Sequence, residues 1–490
     1  MKNKILIGLV LFAFTLGSCD SWLDVAPDDQ VNEETLFKTG EGYRTALNGV
    51  YKDLSVTSLY GREMTWGFLD VLAQCYDSWS INSGHIYDKA LSYKYQDKEI
   101  KSLIQSIWSN SYNAVANCNN LIDRAQKEDP SKFAEGEEER NLIWGEALAL
   151  RAFIHFDMLR LFAPSPRVVK AAGDDKGYIP YYERYGSISE PNLSVTDILS
   201  KVERDLLKAK ELVGACDTIA EHMIWHKTSY RMAGGEGSDD PNIPKDLFYT
   251  YRGYRMNYYA VTALLARVYS YAGKHQEAYQ QAMEVIDAKF VESGISYPCF
   301  NFTATTDFAN NYKLYDELIF TLSNKRMVDD YSTYTTGASS SNTRLFVLAD
   351  DIYEYDSDDQ RYEKLFSTSI DGAMSKKYMK QTAGSYGDNM IPMIRLSEMY
   401  YIAAEAQYKL GNVSDGISLL DWVRMKRGIR GGQLEELISD ESEMEYELLK
   451  EAIKDLVCEG QAFYYYKRFN QKPDSKAEFV FPLPDNQTIH

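Results

Sequence analysis

The sequence predicts a mostly α-helical protein: about four tetratricopeptide-like helix pairs, with long loop and short-strand insertions that form a ligand-binding face. Three observations carry that prediction. Nine segments repeat apolar residues at three-and-four spacing, which lines one face of a helix. Two pairs of those segments share a register. Between the helices run four long stretches, 60–98, 164–191, 217–252 and 292–387, which lack the periodicity and are rich in Tyr, Gly, Ser, Asn and Asp. Connections of that length carry function or small local sheets.

In chain order, residues 1–18 read MKNKILIGLVLFAFTLGS: a basic start, an apolar run from Ile5 to Leu16, then small residues before Cys19. The run is too short to span a bilayer comfortably and predicts an export signal. Leu16-Gly17-Ser18-Cys19 resembles the bacterial lipobox, whose cysteine is acylated and becomes the first mature residue. Acyl chains on Cys19 would hold a folded body at a membrane surface without a spanning helix.

The helical segments follow. Segment 42–54 pairs with 99–125, 137–162 with 195–212, 254–272 with 276–289, and 390–410 with 414–427; 444–469 stands last. In the third pair, Leu265, Ala266, Tyr269, Ala278 and Ala282 fall at tetratricopeptide spacing around Gly273. In the fourth, Ala403, Ala404, Gly411, Gly416 and Leu420 fill the same frame. Small residues there let two antiparallel helices approach closely, and a pair with one apolar stripe must stack on further pairs to bury it. Residues 19–230 and 231–490 are expected as amino- and carboxy-terminal regions of one intertwined helical body.

Composition narrows the function. The 490 residues hold 53 Lys+Arg against 72 Asp+Glu, a net charge of −19, which repels phosphate backbones, so no nucleic-acid partner is expected. Mean hydropathy is −0.41 and only the first apolar run is long, which excludes a polytopic membrane protein. The six cysteines are widely spaced, without a CxxC pair, so neither a zinc site nor a dense disulfide framework is indicated. With Cys19 set aside, an odd number remains, and at least one is unpaired.

Catalytic and metal motifs are weak. His222 and His226 lie one helical turn apart, but Met-Ile-Trp separates them where a zincin has its Glu, which favours a surface pair without metal. The acidic run from Asp350 to Asp359 lacks the Gly of a calcium loop, because the sixth position counted from Asp356 is Arg361. A helix start at 360–365, capped by Asp358 or Asp359, accounts for it better. No nucleophile elbow, P-loop or dinucleotide fingerprint is present. No enzymatic activity, metal or cofactor is expected.

Tyrosine is in excess, 38 against 20 Phe, although Phe serves a dry core equally well. A phenol or indole offers an apolar plate with a polar tip. Trp66, Tyr76, Asp77, Trp79 and Tyr87 crowd the first insertion; Tyr312, Tyr315, Tyr331, Tyr334 and Arg344 crowd the last. A sugar ring has a C–H face and a rim of hydroxyls, so such plates flanked by Asp and Arg suit a glycan. The expected ligand contacts are Asp77, Trp79, Tyr87, Tyr331, Tyr334 and Arg344, with Trp79 and Tyr334 stacking and Asp77 and Arg344 on the hydroxyl rim.

Motifs along the chain resemble one family. Cys19-Asp20-Ser21-Trp22-Leu23-Asp24 with Pro27, the helix Gly145-Glu146-Ala147 through Leu150-Arg151-Ala152, the run Arg395-Leu396-Ser397-Glu398-Met399-Tyr400 with Ala403-Ala404-Glu405-Ala406, and Phe481-Pro482-Leu483-Pro484 are similar, in order, to signatures of the SusD/RagB nutrient-binding lipoproteins of Bacteroidetes-type bacteria. The chain departs from the family pattern at Gln461 and Tyr464, where an Arg and a nearby apolar or polar residue are usual. The resemblance implies a tetratricopeptide-like scaffold with a ligand site on the insertions. It also implies anchoring in the outer membrane, facing the cell exterior, and docking on a SusC-like TonB-dependent transporter. The ligand it implies is an oligosaccharide or polysaccharide, with a peptide as the alternative. A surface glycosidase and a repeat scaffold remain rivals from other classes.

Overall fold

The computed structural model describes residues 33–485 except 188, 236–240, 242, 336–341, 382–386 and 432. The lipobox with Cys19 and the signal at 1–18 lie outside the described residues. Eight helices form the stack: α1 (Gly40–Leu54), α2 (Lys98–Ala125), α3 (Gly136–Phe162), α4 (Val195–Asp217), α5 (Tyr258–Ala272), α6 (His275–Ile286), α7 (Leu396–Lys409) and α8 (Val413–Lys426). Each packs on the next in order, so the four predicted pairs become one continuous series with its apolar stripes buried. Two further helices, α9 (Glu441–Leu456) and α10 (Gln461–Phe469), close the carboxy-terminal side, α9 against α7. Among the described residues no helix is long and apolar enough to cross a membrane.

Local chemistry sets the helix ends. Thr39, Asp97, Ser194 and Asn257 each accept a hydrogen bond from a first-turn N–H of α1, α2, α4 and α5. The Asn257 cap explains why α5 starts at Tyr258 and not at 254. In the fourth pair, a Cβ added to Gly416 would stand 2.7 Å from the Ala404 carbonyl oxygen, so α7 and α8 meet backbone to backbone there.

Two expected helices are corrected. Residues 390–395 are a strand, β8 (Met390–Arg395), which pairs antiparallel with β5 (Leu318–Ser323) before α7 begins. Every β8 side chain is buried, so its apolar run belongs to a strand covered on both faces, which helical spacing alone does not distinguish. The expected helix 444–469 breaks between α9 and α10, where Cys458 and Gly460 take φ of 68° and 73°. A Cβ on Gly460 would lie 2.2 Å from the Met64 carbonyl oxygen, so the first insertion's backbone presses into the break.

The remaining strands form short antiparallel pairs: β1 (Ile179–Pro180) with β2 (Asn192–Leu193), β3 (Lys289–Glu292) with β4 (Ile295–Pro298), and β6 (Phe366–Ser369) with β7 (Gly372–Ser375). Cys75, Cys118, Cys216, Cys299 and Cys458 are all free, buried thiols. Asp359 caps Gln360–Lys364 by accepting from the Arg361 N–H at 2.9 Å, as the acidic run suggested. The surface placement of the histidine pair is corrected for His226, which is buried with its Nε2 3.3 Å from the Asp217 carbonyl; burial lowers its pKa to about 4. His222 is half-buried and stacks on Trp225 at 3.7 Å.

Candidate functional site

The first and last insertions meet. Asp77 N–H donates to the Phe346 carbonyl at 2.8 Å, and the Ser80 and Arg344 backbones are joined by an Arg344 N–H to Ser80 carbonyl bond of 2.8 Å. Ser80 Oγ donates to the Arg344 carbonyl at 2.8 Å, and Tyr76 and Val347 form an antiparallel bridge that continues to Ala373 of β7. Segments 76–82 and 343–348 and the β6–β7 hairpin therefore form one small patch of backbone pairing.

That patch presents Trp79. Its turn, Ser78–Ser80, is capped by Asp77, whose Oδ1 accepts the Trp79 N–H at 3.0 Å. The indole is 94% exposed, an unusual state for so large an apolar ring. Asp77 thus orients the turn that carries Trp79, in addition to any contact its carboxylate makes beyond it. Arg344 stands beside it, 29% exposed at the side chain, with Nη1 3.8 Å from the Asp371 carboxylate at the tip of the β6–β7 hairpin. Ile370, next to it on that tip, is fully exposed.

Tyr334 is half-buried at the edge. Its ring lies 5.6 Å from Trp66, 5.8 Å from Tyr87 and 6.4 Å from His85, with the Arg62 guanidinium 5.8 Å from its centroid. Burial lowers the pKa of His85, whose ring lies beside Tyr334.

Two of the expected contacts are corrected. Tyr87 and Tyr331 are 1% and 0% exposed and offer no ring face to a ligand. The Tyr87 hydroxyl donates to Glu63 at 3.0 Å, and that of Tyr331 donates to the Ser375 carbonyl at 2.9 Å. With Trp66, Tyr76 and Tyr378 they form an aromatic floor that packs the insertions on the α9–α10 junction, where the Tyr378 hydroxyl donates to the Cys458 carbonyl at 2.9 Å. Aromatic content alone does not separate a floor from a plate. Sequence reasoning missed His85, Arg62, Ile370 and Asp371; only Asp371-Gly372, a turn signal for the hairpin, left a trace.

The family motifs map elsewhere. Glu146 of α3 accepts from Arg252, in the turn before α5, at 2.9 Å, Arg151 pairs with Asp205 at 2.7 Å, and Glu398 holds Arg267 at 2.6 Å, all buried. Gln461, one of the departures, accepts from Arg160 at 3.3 Å.

Comparisons with known proteins bear on the family and the fold. A family model described as "SusD family" matches residues 223–480, and one described as "Starch-binding associating with outer membrane" matches residues 21–230. SusD-like protein P38 of Formosa agariphila is 22% identical over 96% of this chain and 92% of its own length. The crystal structure of a SusD superfamily protein from Bacteroides thetaiotaomicron superposes with a TM-score of 0.68 at 22% identity, covering 92% of this chain and 93% of that one. That of a SusD-like carbohydrate binding protein from Bacteroides vulgatus does so at 0.63 and 17% identity, covering 89% and 84%.

Proposed function

The chain belongs to the SusD family, and from that premise we propose that it binds an oligosaccharide or polysaccharide at the outer membrane and hands it, unaltered, to a partner TonB-dependent transporter. The observation that carries the reading is Trp79, almost fully exposed on a turn that Asp77 caps and that backbone pairing braces. A flat apolar plate on the turn that pairs with Arg344, whose guanidinium meets Asp371, matches the C–H face and hydroxyl rim of a sugar.

Losing a stacked aromatic typically costs about 2 kcal/mol, close to a thirtyfold loss of affinity. Trp79→Ala is expected to weaken glycan binding by that order in calorimetry while leaving the melting temperature unchanged. An early melt with normal binding would make Trp79 structural and sink the reading. Binding of peptides in place of glycans would replace its ligand class.

The membrane part of the proposal rests on Cys19. Mass spectrometry of the mature protein is expected to find an acylated amino-terminal cysteine; a chain starting at Asp20 removes the anchor.

A further inference from the structure

We propose that a second cleft, between the β3–β4 hairpin and the segment that leads into β5, takes a neutral sugar unit of the same glycan. The inference rests on the reading of this chain as a glycan binder, but on none of the residues around Trp79. The cleft measures about 630 Å³ and is lined by Lys227, Thr228 and Ser229 at the start of the short helix Thr228–Ala233, by Tyr297 of the hairpin and by Asp316.

Its plate is Tyr297. Tyr297 pairs across the hairpin with Phe290, and the two rings stack at 5.6 Å and 25°, leaving Tyr297 39% exposed. Phe290 is buried, so the outer ring is braced from behind and loses little freedom on binding. Lys227 Nζ, 2.7 Å from Glu292, ties the hairpin to the start of that short helix.

The Asp316 wall is built for hydrogen bonding. Asn311 is 3% exposed; its Oδ1 accepts the Tyr315 N–H at 3.0 Å and its Nδ2 donates to Asp316 Oδ2 at 3.1 Å. Thr303 Oγ1 donates to the same Asp316 oxygen at 3.2 Å. The fully buried Arg231 donates to the backbone carbonyls of Asp316, at 2.5 Å, and of Cys299, at 3.0 Å, which holds both ends of the wall. Asp316 is thus fixed through one oxygen, and among the described residues Oδ1 receives no hydrogen bond. The exposed amides of Asn301 and Asn310 lie at the rim.

Each sugar hydroxyl both donates and accepts, so a carboxylate oxygen and side-chain amides beside an aromatic plate form a complementary set. The charge selects among sugars. Asp307, Asp316 and Glu292 stand against Lys227 and the buried Arg231, a net negative charge that disfavours uronic acids and sulfated units and leaves neutral ones. Two contacts on one chain also raise the hold on a long polymer above that on a short one, because the second contact is made at high effective concentration.

The test uses calorimetry with amylose, xylan, laminarin and mannan, with polygalacturonate as the charged comparison. Tyr297→Ala is expected to lower affinity for the neutral glycan bound by about tenfold, and more for the polymer than for its tetrasaccharide. Asp316→Asn keeps an oxygen for Asn311 and Thr303 but turns the outward acceptor into a donor, and is expected to weaken binding without moving the melt. Wild-type affinity in both variants overturns the cleft and leaves the Trp79 platform standing. Weakened binding in both, with Trp79→Ala unaffected, overturns the platform and keeps the cleft. Preference for polygalacturonate or for a casein digest through Tyr297 overturns the ligand class, and a wild-type protein that binds none of these glycans overturns both sites.

Discussion

The ion pairs that tie the helices of the stack together are buried, whereas the pair at the tip where the insertions join, beside Trp79, is exposed. Arg151 and Asp205, which tie α3 to α4, are 5% and 3% exposed at their side chains, and Arg267 and Glu398, which tie α5 to the start of α7, are 6% and 3% exposed. The pair beside Trp79, Arg344 and Asp371, is longer at 3.8 Å, and its members are 29% and 65% exposed. The aromatic rings run the other way, with Trp79 bare at the tip of an insertion whose floor is packed with Tyr. Buried pairs hold one helix register against another, because separating them strands a charge in a poor solvent. An exposed pair is worth little to stability and can exchange its partner for a ligand. The same residue types thus serve opposite ends in the two regions.

This contrast can be broken most severely at Arg427. Its guanidinium bonds Glu317 at 2.6 and 2.7 Å and Asp455 at 2.8 and 2.9 Å, fully buried between the end of α8, the start of β5 and α9. Arg427→Ala removes the cation that Glu317 and Asp455 share, leaving Glu317 with Arg395 at 3.7 Å and Asp455 with Arg361 at 2.8 Å, and is expected to destabilise by about 3–5 kcal/mol, read from the urea midpoint. A variant as stable as the wild type would show that the stack does not depend on its buried charges.

A second effect is set by pH. Asp70 is buried in the short helix Phe68–Leu72, accepts the Cys458 N–H, and is pushed up to about 8 from 3.8 by burial. The folded chain therefore holds this proton between pH 4 and 8 while the unfolded chain has lost it. The stability linked to Asp70 is present in full below about pH 4 and is lost as pH rises through 8. Asp70→Asn removes the titration, so the difference in melting temperature should move in favour of the variant between pH 5 and pH 9. A constant difference would show that Asp70 is ionised in the folded protein throughout.

The smallest effect sharpens the line between floor and plate. Tyr331→Phe removes one buried hydrogen bond, to Ser375, and is expected to cost about 1 kcal/mol with glycan affinity unchanged. Trp79→Ala is its mirror image. Should Tyr331→Phe lower affinity as well, the floor takes part in binding.

How much of this was legible differs between the same two regions. The helix pairs were readable because their information is local: a three-and-four apolar spacing and small residues such as Ala404 and Gly416 at the crossing act within a few residues of one another. The cap at Asp359 was readable for the same reason. The break at Gly460 was not, since it depends on the Met64 carbonyl, which reaches it only after the chain has folded back.

The amino-acid sequence by itself determined a helical repeat scaffold, a strongly acidic chain, and insertions with more tyrosine than a core requires. Tertiary structure alone decided which of those rings are floor and which are surface. Tyr331 and Trp79 look alike as candidates along the chain, yet one is closed over by Trp66 and Tyr378 and the other is not. Burial is a property of what other segments supply from far along the chain, and no spacing within a segment records it.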